Sequence, residues 1–428
     1  MTHLSTAHRA ETPSLARRYE QVRSFSERIC APLLPEDYVA QSMPEVSPTK
    51  WHLAHTTWFL ETFILADARG YRPFHPEFRY LFNSYYNTVG AQFPRANRGC
   101  LSRPGVDEIH AYRRHVDAHM RALLSDGVSR KSADIVEIGL NHEQQHQELM
   151  LTDIKHVLGA NPLRPAYAEA VDPVDEEDAG DAGEIGRLRW ASYAENVREI
   201  GAGPDGFAWD NEQPRHRALI HGFDIATRLV TNGEYLEFMR DGGYSAANLW
   251  LSEGWDALRR EGWAAPLYWF QGEDGVWREY TLRGVEPLRA NAPVCHVSYF
   301  EADAFARWRG ARLPTEFEWE LAAGDADAAS NLADDWRLRP MPAPDHDGST
   351  CHQMLGDVWE WTASPYTAYP GYVAPSGAFG EYNGKFMCNQ FVLRGGSFAT
   401  PRDHIRITYR NFWPPATRWQ FAGIRLAR

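Results

Sequence analysis

Two histidines four positions apart, within His142-Glu143-Gln144-Gln145-His146, fall on one face of any helix that contains them and can grip a single metal ion. Read as H-E-x-x-H, the segment is a zinc-peptidase signature with Glu143 as general base. A peptidase needs its third ligand downstream, and the continuation Gln147-Glu148-Leu149-Met150-Leu151-Thr152-Asp153 lacks the His-x-x-Gly-x-x-His extension. A downstream glutamate stays open, but the helical surroundings offer no edge strand to align a peptide. A better third ligand lies upstream: His55, within Trp51-His52-Leu53-Ala54-His55-Thr56-Thr57-Trp58-Phe59. Three neutral imidazoles without carboxylate or thiolate leave a dication with net charge and vacant positions, suited to a substrate sulfur, an imidazole or dioxygen. An iron(II) oxygen enzyme and a catalytic zinc site both fit. His115 and His119 share the four-residue spacing, but their charged neighbours favour a solvated face.

These side chains need helices to hold them. Spaced apolar positions over residues 15–23, over 106–116 and from Ser132, as N-cap, to Leu158 predict three helices. Pro48 followed by the apolar run through Ile64 predicts a fourth. Four helices make a bundle, whose interior is where facing side chains converge on a metal. The expected organisation is a helical region over 1–165, an acidic linker over 166–187 and a loop-rich α+β region over 188–428. In the last of these only residues 231–239 and 300–309 read as plainly helical. The linker is marked by seven acids between Asp172 and Glu184, with Pro173, Gly180, Gly183 and Gly186.

Much of the net charge of −13 sits in that stretch, and without it no basic stripe remains, so nucleic acid is not an expected partner. No apolar run reaches the ~20 residues of a membrane helix, and the start of the chain has no apolar signal segment. Five cysteines with no C-x-x-C spacing argue against a disulfide framework and against a thiolate zinc site. A cytoplasmic enzyme acting on small molecules, without a membrane, is the expectation.

The His55 segment, the H-E-Q-Q-H helix and three later motifs occur in one order. Those motifs are Leu313-Pro314-Thr315-Glu316-Phe317-Glu318-Trp319-Glu320, Gly356-Asp357-Val358-Trp359-Glu360-Trp361-Thr362 and Leu393-Arg394-Gly395-Gly396-Ser397-Phe398. Together they resemble the ergothioneine-forming sulfoxide synthases (hercynine oxygenases), and the resemblance spans nearly the whole chain. It implies a DinB-like four-helix bundle followed by a formylglycine-generating-enzyme-like, C-type-lectin-related α+β domain. It places non-heme iron(II) on His55, His142 and His146. The implied reaction uses O2 to join the sulfur of cysteine or γ-glutamylcysteine to C2 of the imidazole of hercynine, as a sulfoxide.

The resemblance also assigns roles around the metal. Tyr85 and Tyr86 match the branch in which tandem tyrosines supply the catalytic phenol, since the stretch 388–392 before the L-R-G-G-S motif contains no tyrosine. Arg95 and Arg98 match the pair that holds the carboxylates of the thiol substrate, as arginine forks do well. Asn411 matches a hercynine contact. Phe412 and Trp413, with Trp419, can form an aromatic wall for the trimethylammonium. Trp413 stands where the γ-glutamylcysteine-using branch has Asp, which favours cysteine. Gln145, which projects between the two helical histidines, is the candidate hydrogen-bonding partner of the hercynine imidazole or of a water on its ammonium side. Residues 206–212 and the Trp359-Glu360-Trp361 segment read as scaffold, and Cys295, Cys351 and Cys388 do not reproduce the thiol pair of a formylglycine-generating oxidase. A selenoneine synthase of the same architecture, a zinc peptidase and a non-catalytic ligand-binding module are the competing functions.

Overall fold

The computed structural model describes residues 13–168, 186–326, 331–344 and 350–428. The seven acids expected in the linker lie outside the described residues. Helices α1 (Leu15–Cys30), α2 (Thr49–Leu60), the short α3 (Phe78–Leu81), α4 (Val106–Asp126) and α5 (Arg130–Ala160) build the first region. α1 and α2 each pack on α4 and on α5, so the four long helices close a bundle.

Local chemistry explains the ends. Ser14 caps α1 by accepting the Arg17 N–H, and Ser129 caps α5 by accepting the Ser132 N–H at 3.1 Å. The cap of α5 is therefore Ser129 rather than Ser132, and the helix starts a turn earlier than its apolar periodicity shows. Every residue of α2 is buried, which makes it the central helix of the bundle. A π-helical turn, Glu61–Leu65, continues it and presents the Glu61 carboxylate to the hydroxyls of Tyr71 and Tyr112, at 2.5 and 2.6 Å.

Among the described residues, the second region combines short strands with four α-helices. Strand β1 (Trp190–Tyr193) pairs antiparallel with β4 (Phe223–Ala226), and β2 (Asn196–Ile200) with β3 (His216–Ile220). β5 (Trp269–Gln271), β6 (Trp277–Thr281) and β7 (Gly284–Pro287) form a meander. β8 (Trp359–Pro365), β9 (Phe391–Arg394), β10 (Asn411–Trp413) and β11 (Ala422–Gly423) form a sheet in the order β10-β9-β8-β11. The expected helices are α6 (Asn232–Arg240) and α8 (Tyr299–Trp308). Two more, α7 (Ser252–Glu261) and α9 (Glu316–Gly324), correct the expectation of only two.

The motifs of this region are welded to one another by buried charge. Arg394 of β9 meets Glu316 and Glu320 of α9, while Arg425 and the Trp319 indole both meet Glu360 of β8. Gly395 and Gly396 then turn the chain with φ of +98° and +78°, and a Cβ on Gly395 would sit 2.7 Å from the Met354 carbonyl. That turn delivers Ser397 to α5. There Glu148 accepts from Ser397 (2.5 Å), Thr400 (2.7 Å) and the Trp359 indole (2.7 Å). One hydrophobic cluster runs from Tyr19 in the bundle to Leu426, so the two regions share a core. No helix among the described residues is long and apolar enough to cross a membrane.

Candidate metal centre

His55 from α2 and His142 and His146 from α5 converge in the bundle, their candidate ligand atoms all within 4.8 Å of one another and all three residues buried. Burial disfavours the charged imidazolium, so His55 and His146 are held well below the ordinary histidine range and His142 at about 3. All three are neutral at physiological pH and carry a lone pair each. The Nδ1 of His55 donates to the Phe82 carbonyl at 2.5 Å, leaving Nε2 as the lone-pair nitrogen. That atom and both nitrogens of His142 are buried without a hydrogen-bond partner. Orphaned buried polar atoms are rare, and one from each of these two rings, with His146 beside them, fits a metal dication.

Stacking fixes the His55 ring. Trp51, His55 and Trp58 follow one another along one face of α2, with the imidazole 4.6 Å from one indole and 5.4 Å from the other, each nearly parallel to it. His146 is held differently: its Nδ1 lies 2.8 Å from Nδ1 of His52, whose Nε2 lies 3.0 Å from Asp153 Oδ2.

Glu143 points elsewhere. Its carboxylate accepts from Arg23 (2.8 Å), Arg113 (2.7 Å) and Ser26 (2.6 Å) inside the bundle. Burial works to raise its pKa, but Arg113 and Arg23 outweigh it and hold the group at about 2. A carboxylate bound to two guanidinium groups is not a free base, and the peptidase geometry is absent.

The expected substrate residues are distributed unequally. Arg98 is buried, lies 3.3 Å from the Trp51 ring centre, and bonds the hydroxyls of Ser47 (2.9 Å) and Ser84 (3.3 Å) rather than a carboxylate. Its Nε has no partner, and burial together with Arg95 lowers it to about 8. Arg95 is exposed and donates to the Glu45 carbonyl. Tyr85 and Tyr86 stack at 4.9 Å. Tyr86 is fully buried against Trp58, Phe59 and Phe63. On β10, Phe412 stacks on Tyr366 at 4.0 Å, whereas Trp413 meets Trp419. Alternation along the strand puts Phe412 and Trp413 on opposite faces, so they do not join in one wall. Asn411 shares the Trp413 face.

A third tyrosine, not singled out in the sequence, comes nearest the histidines in ring contacts. Tyr382 meets His142 edge-on at 5.8 Å, meets Tyr85 at 6.0 Å and stacks on Trp209 at 4.5 Å. Its hydroxyl donates to Gln145 Oε1, and the Gln145 amide donates to Tyr409 at 2.5 Å. The segment 206–212 is thus more than scaffold, since Trp209 backs a side chain of the site. Nearby, Glu381 accepts the N–H groups of Asn87 (3.0 Å) and Thr88 (2.9 Å), tying this segment to the loop of the paired tyrosines.

Residues 195–428 match the family described as the sulfatase-modifying factor enzyme 1-like domain. That domain, joined to a helical bundle with a three-histidine centre, defines the class: a metal-dependent oxygenase. The chain is 34% identical to the hercynine oxygenase of Mycolicibacterium thermoresistibile over 100% of its own length and 96% of that protein. It is 36% identical to the hercynine oxygenase of Mycobacterium tuberculosis, covering 90% of this chain and 91% of that one. With ergothioneine biosynthesis protein 1 of Schizosaccharomyces pombe it shares 28% identity over 52% of this chain and 28% of that longer protein. The chain belongs to the hercynine oxygenase family.

Proposed function

We propose that this protein is an iron(II)- and O2-dependent sulfoxide synthase that joins the sulfur of cysteine, or of γ-glutamylcysteine, to C2 of the imidazole of hercynine. The observation that carries this is the set of three neutral, buried imidazoles converging on one point, with unpartnered nitrogens on His55 and His142, in a chain of this family. His55, His142 and His146 hold the ion. When bound, iron(II) supplies redox chemistry with O2 and open positions for thiolate and imidazole.

The remaining residues bind and orient. Arg98 receives the carboxylate of the thiol substrate, because a buried guanidinium with hydroxyl partners and a free Nε gains a charge-assisted pair. Arg95 adds positive potential at the rim. With Trp413 in place of an acid, no carboxylate at that position greets the amino group of the dipeptide, which favours cysteine. Gln145, held between Tyr382 and Tyr409, presents an amide to the hercynine imidazole, and Phe412 lines the approach, with Asn411 on the opposite face of its strand. Tyr85, Tyr86 and Tyr382 form the phenol cluster, and burial raises all three above the ordinary tyrosine range, so each keeps its proton until one is required. Tyr382 is the phenol in contact with a ligand ring. Five free cysteines suit a reducing cytoplasm.

Anaerobic loading with iron(II), then O2, hercynine and cysteine, is expected to yield hercynylcysteine sulfoxide by mass spectrometry. No product with either thiol would overturn the proposal.

A further inference from the structure

Asp153 lies seven residues beyond His146 on α5, about 10 Å along the helix axis. That is too far for direct contact. His52, from α2, spans the gap: its Nδ1 is 2.8 Å from His146 Nδ1, and its Nε2 is 3.0 Å from Asp153 Oδ2. The same carboxylate oxygen accepts the backbone N–H of Ser47 at 2.8 Å, and all four residues are buried.

Hydrogen-bond polarity along this line has one solution for a carboxylate and two neutral imidazoles. The Asp153 carboxylate only accepts, so His52 donates from Nε2. A neutral imidazole that donates at Nε2 accepts at Nδ1, so His146 donates from Nδ1. The Nε2 of His146 is then the nitrogen with the lone pair, which is the state a metal ligand needs. His55 reaches that state through a backbone carbonyl; His146 reaches it only through another side chain.

We infer that His52 and Asp153 are positioning residues of the metal centre, the carboxylate acting through one imidazole to set the tautomer and ring angle of the next. The inference rests on reading the three histidines as a metal site. Neither residue needs to touch substrate. His52 lies on the Nδ1 side of His146, away from the ligand nitrogen, and its bond to Asp153 ties α2 to α5. His52 is the cleaner of the two to change, because Asp153 also fixes Ser47, which accepts from Arg98.

The experiment is a Co(II) titration of metal-free full-length protein against a competing chelator, with circular dichroism and denaturant unfolding to confirm the fold. His52→Phe fills the space but neither accepts nor donates, and it is expected to weaken Co(II) binding by about 10–100-fold. His52→Gln can accept from His146 with its carbonyl and donate to Asp153 with its amide, and it should recover most of that loss. A purely packing role predicts the reverse ranking, with the aromatic replacement the milder. Asp153→Ala acts on the same line and should weaken binding as well, which covers the case in which His52→Phe does not fold. Wild-type affinity in a folded His52→Phe or Asp153→Ala protein, or a His52→Gln protein no better than His52→Phe, overturns the inference while leaving the metal site standing. Failure of the wild-type protein itself to take up Co(II) would instead sink the three-histidine reading, and this inference with it.

Discussion

The helix α5 carries two buried polar clusters at adjacent positions, and they are opposites. On one side Glu143 has three donors, two of them guanidinium groups, and the network extends through Arg23 to Asp117 and on to the Tyr19 hydroxyl. On the other, His142 has none. Both sit in the same low-dielectric interior, and both would be costly if left bare. The difference teaches which is structure and which is function: a saturated cluster has nothing left to bind, whereas an unsaturated one holds its capacity in reserve. The same contrast separates Arg23, spent on two carboxylates, from Arg98, whose partners are two serine hydroxyls.

His142→Ala tests the unsaturated side most severely. It should reduce Co(II) affinity by more than about 100-fold, beyond the usual cost of an outer-shell change, and abolish product formation while the metal-free protein stays folded. Metal stoichiometry and circular dichroism check it. On the saturated side, Glu143→Ala leaves two buried guanidinium groups without their carboxylate and should cost about 3–5 kcal/mol of unfolding free energy by denaturant titration. In the protein that remains folded, Co(II) binding should persist; a folded Glu143→Ala protein without metal would erase the distinction between the two faces.

Arg98→Ala should raise KM for cysteine by about 10–100-fold, the worth of one or two charge-assisted hydrogen bonds, with a smaller change in kcat. Because Arg98 is not paired to a carboxylate among the described residues, unfolding free energy should change far less than for Glu143→Ala. Equal losses in both measurements would place Arg98 with the saturated groups.

The smallest effect concerns Glu381, which belongs to the saturated class. Partial burial pushes its carboxyl upward, but the hydrogen bonds from Thr88 and Asn87 and the neighbouring Lys385 bring it from its ordinary 4.5 down to about 2. A folded-state pKa below the unfolded one means that the unfolded chain binds more protons across this window. The contribution is therefore complete above pH 4.5 and fades as pH falls toward 2. Glu381→Gln should lower the urea midpoint near neutrality, where the contribution is complete, and flatten its pH dependence across that interval.

The candidate ligands were legible in sequence because a helix converts spacing into direction: four residues put His142 and His146 on one face, and an aromatic helix offered His55. What spacing cannot convey is the other end of a long-range contact. Glu143 looked like a base until Arg23, 120 positions earlier, took its carboxylate. Tyr382 reaches Gln145 across 237 positions, so no local pattern announces it. Other features had local signals that apolar periodicity obscures. Thr315-x-x-Glu318 is the capping box of α9, yet tryptophan and paired glutamates hide that helix's apolar stripe. His52 and Asp153 stood in view beside the ligands, but only the packing of α2 against α5 sets them in line. The charged motifs of the second region read as scaffold for a sound reason, since Arg394, Arg425 and their glutamates are consumed by one another.

The socket around Glu148 carries a different kind of consequence, one of inheritance. That glutamate lies two residues past His146, yet its partners Ser397 and Thr400 follow it by 249 and 252 positions. A substitution in the glycine-turned loop of the distant sheet is therefore felt within a turn of His146. The two regions cannot drift independently: each sequence change on one side of the socket sets the terms on which the other can vary.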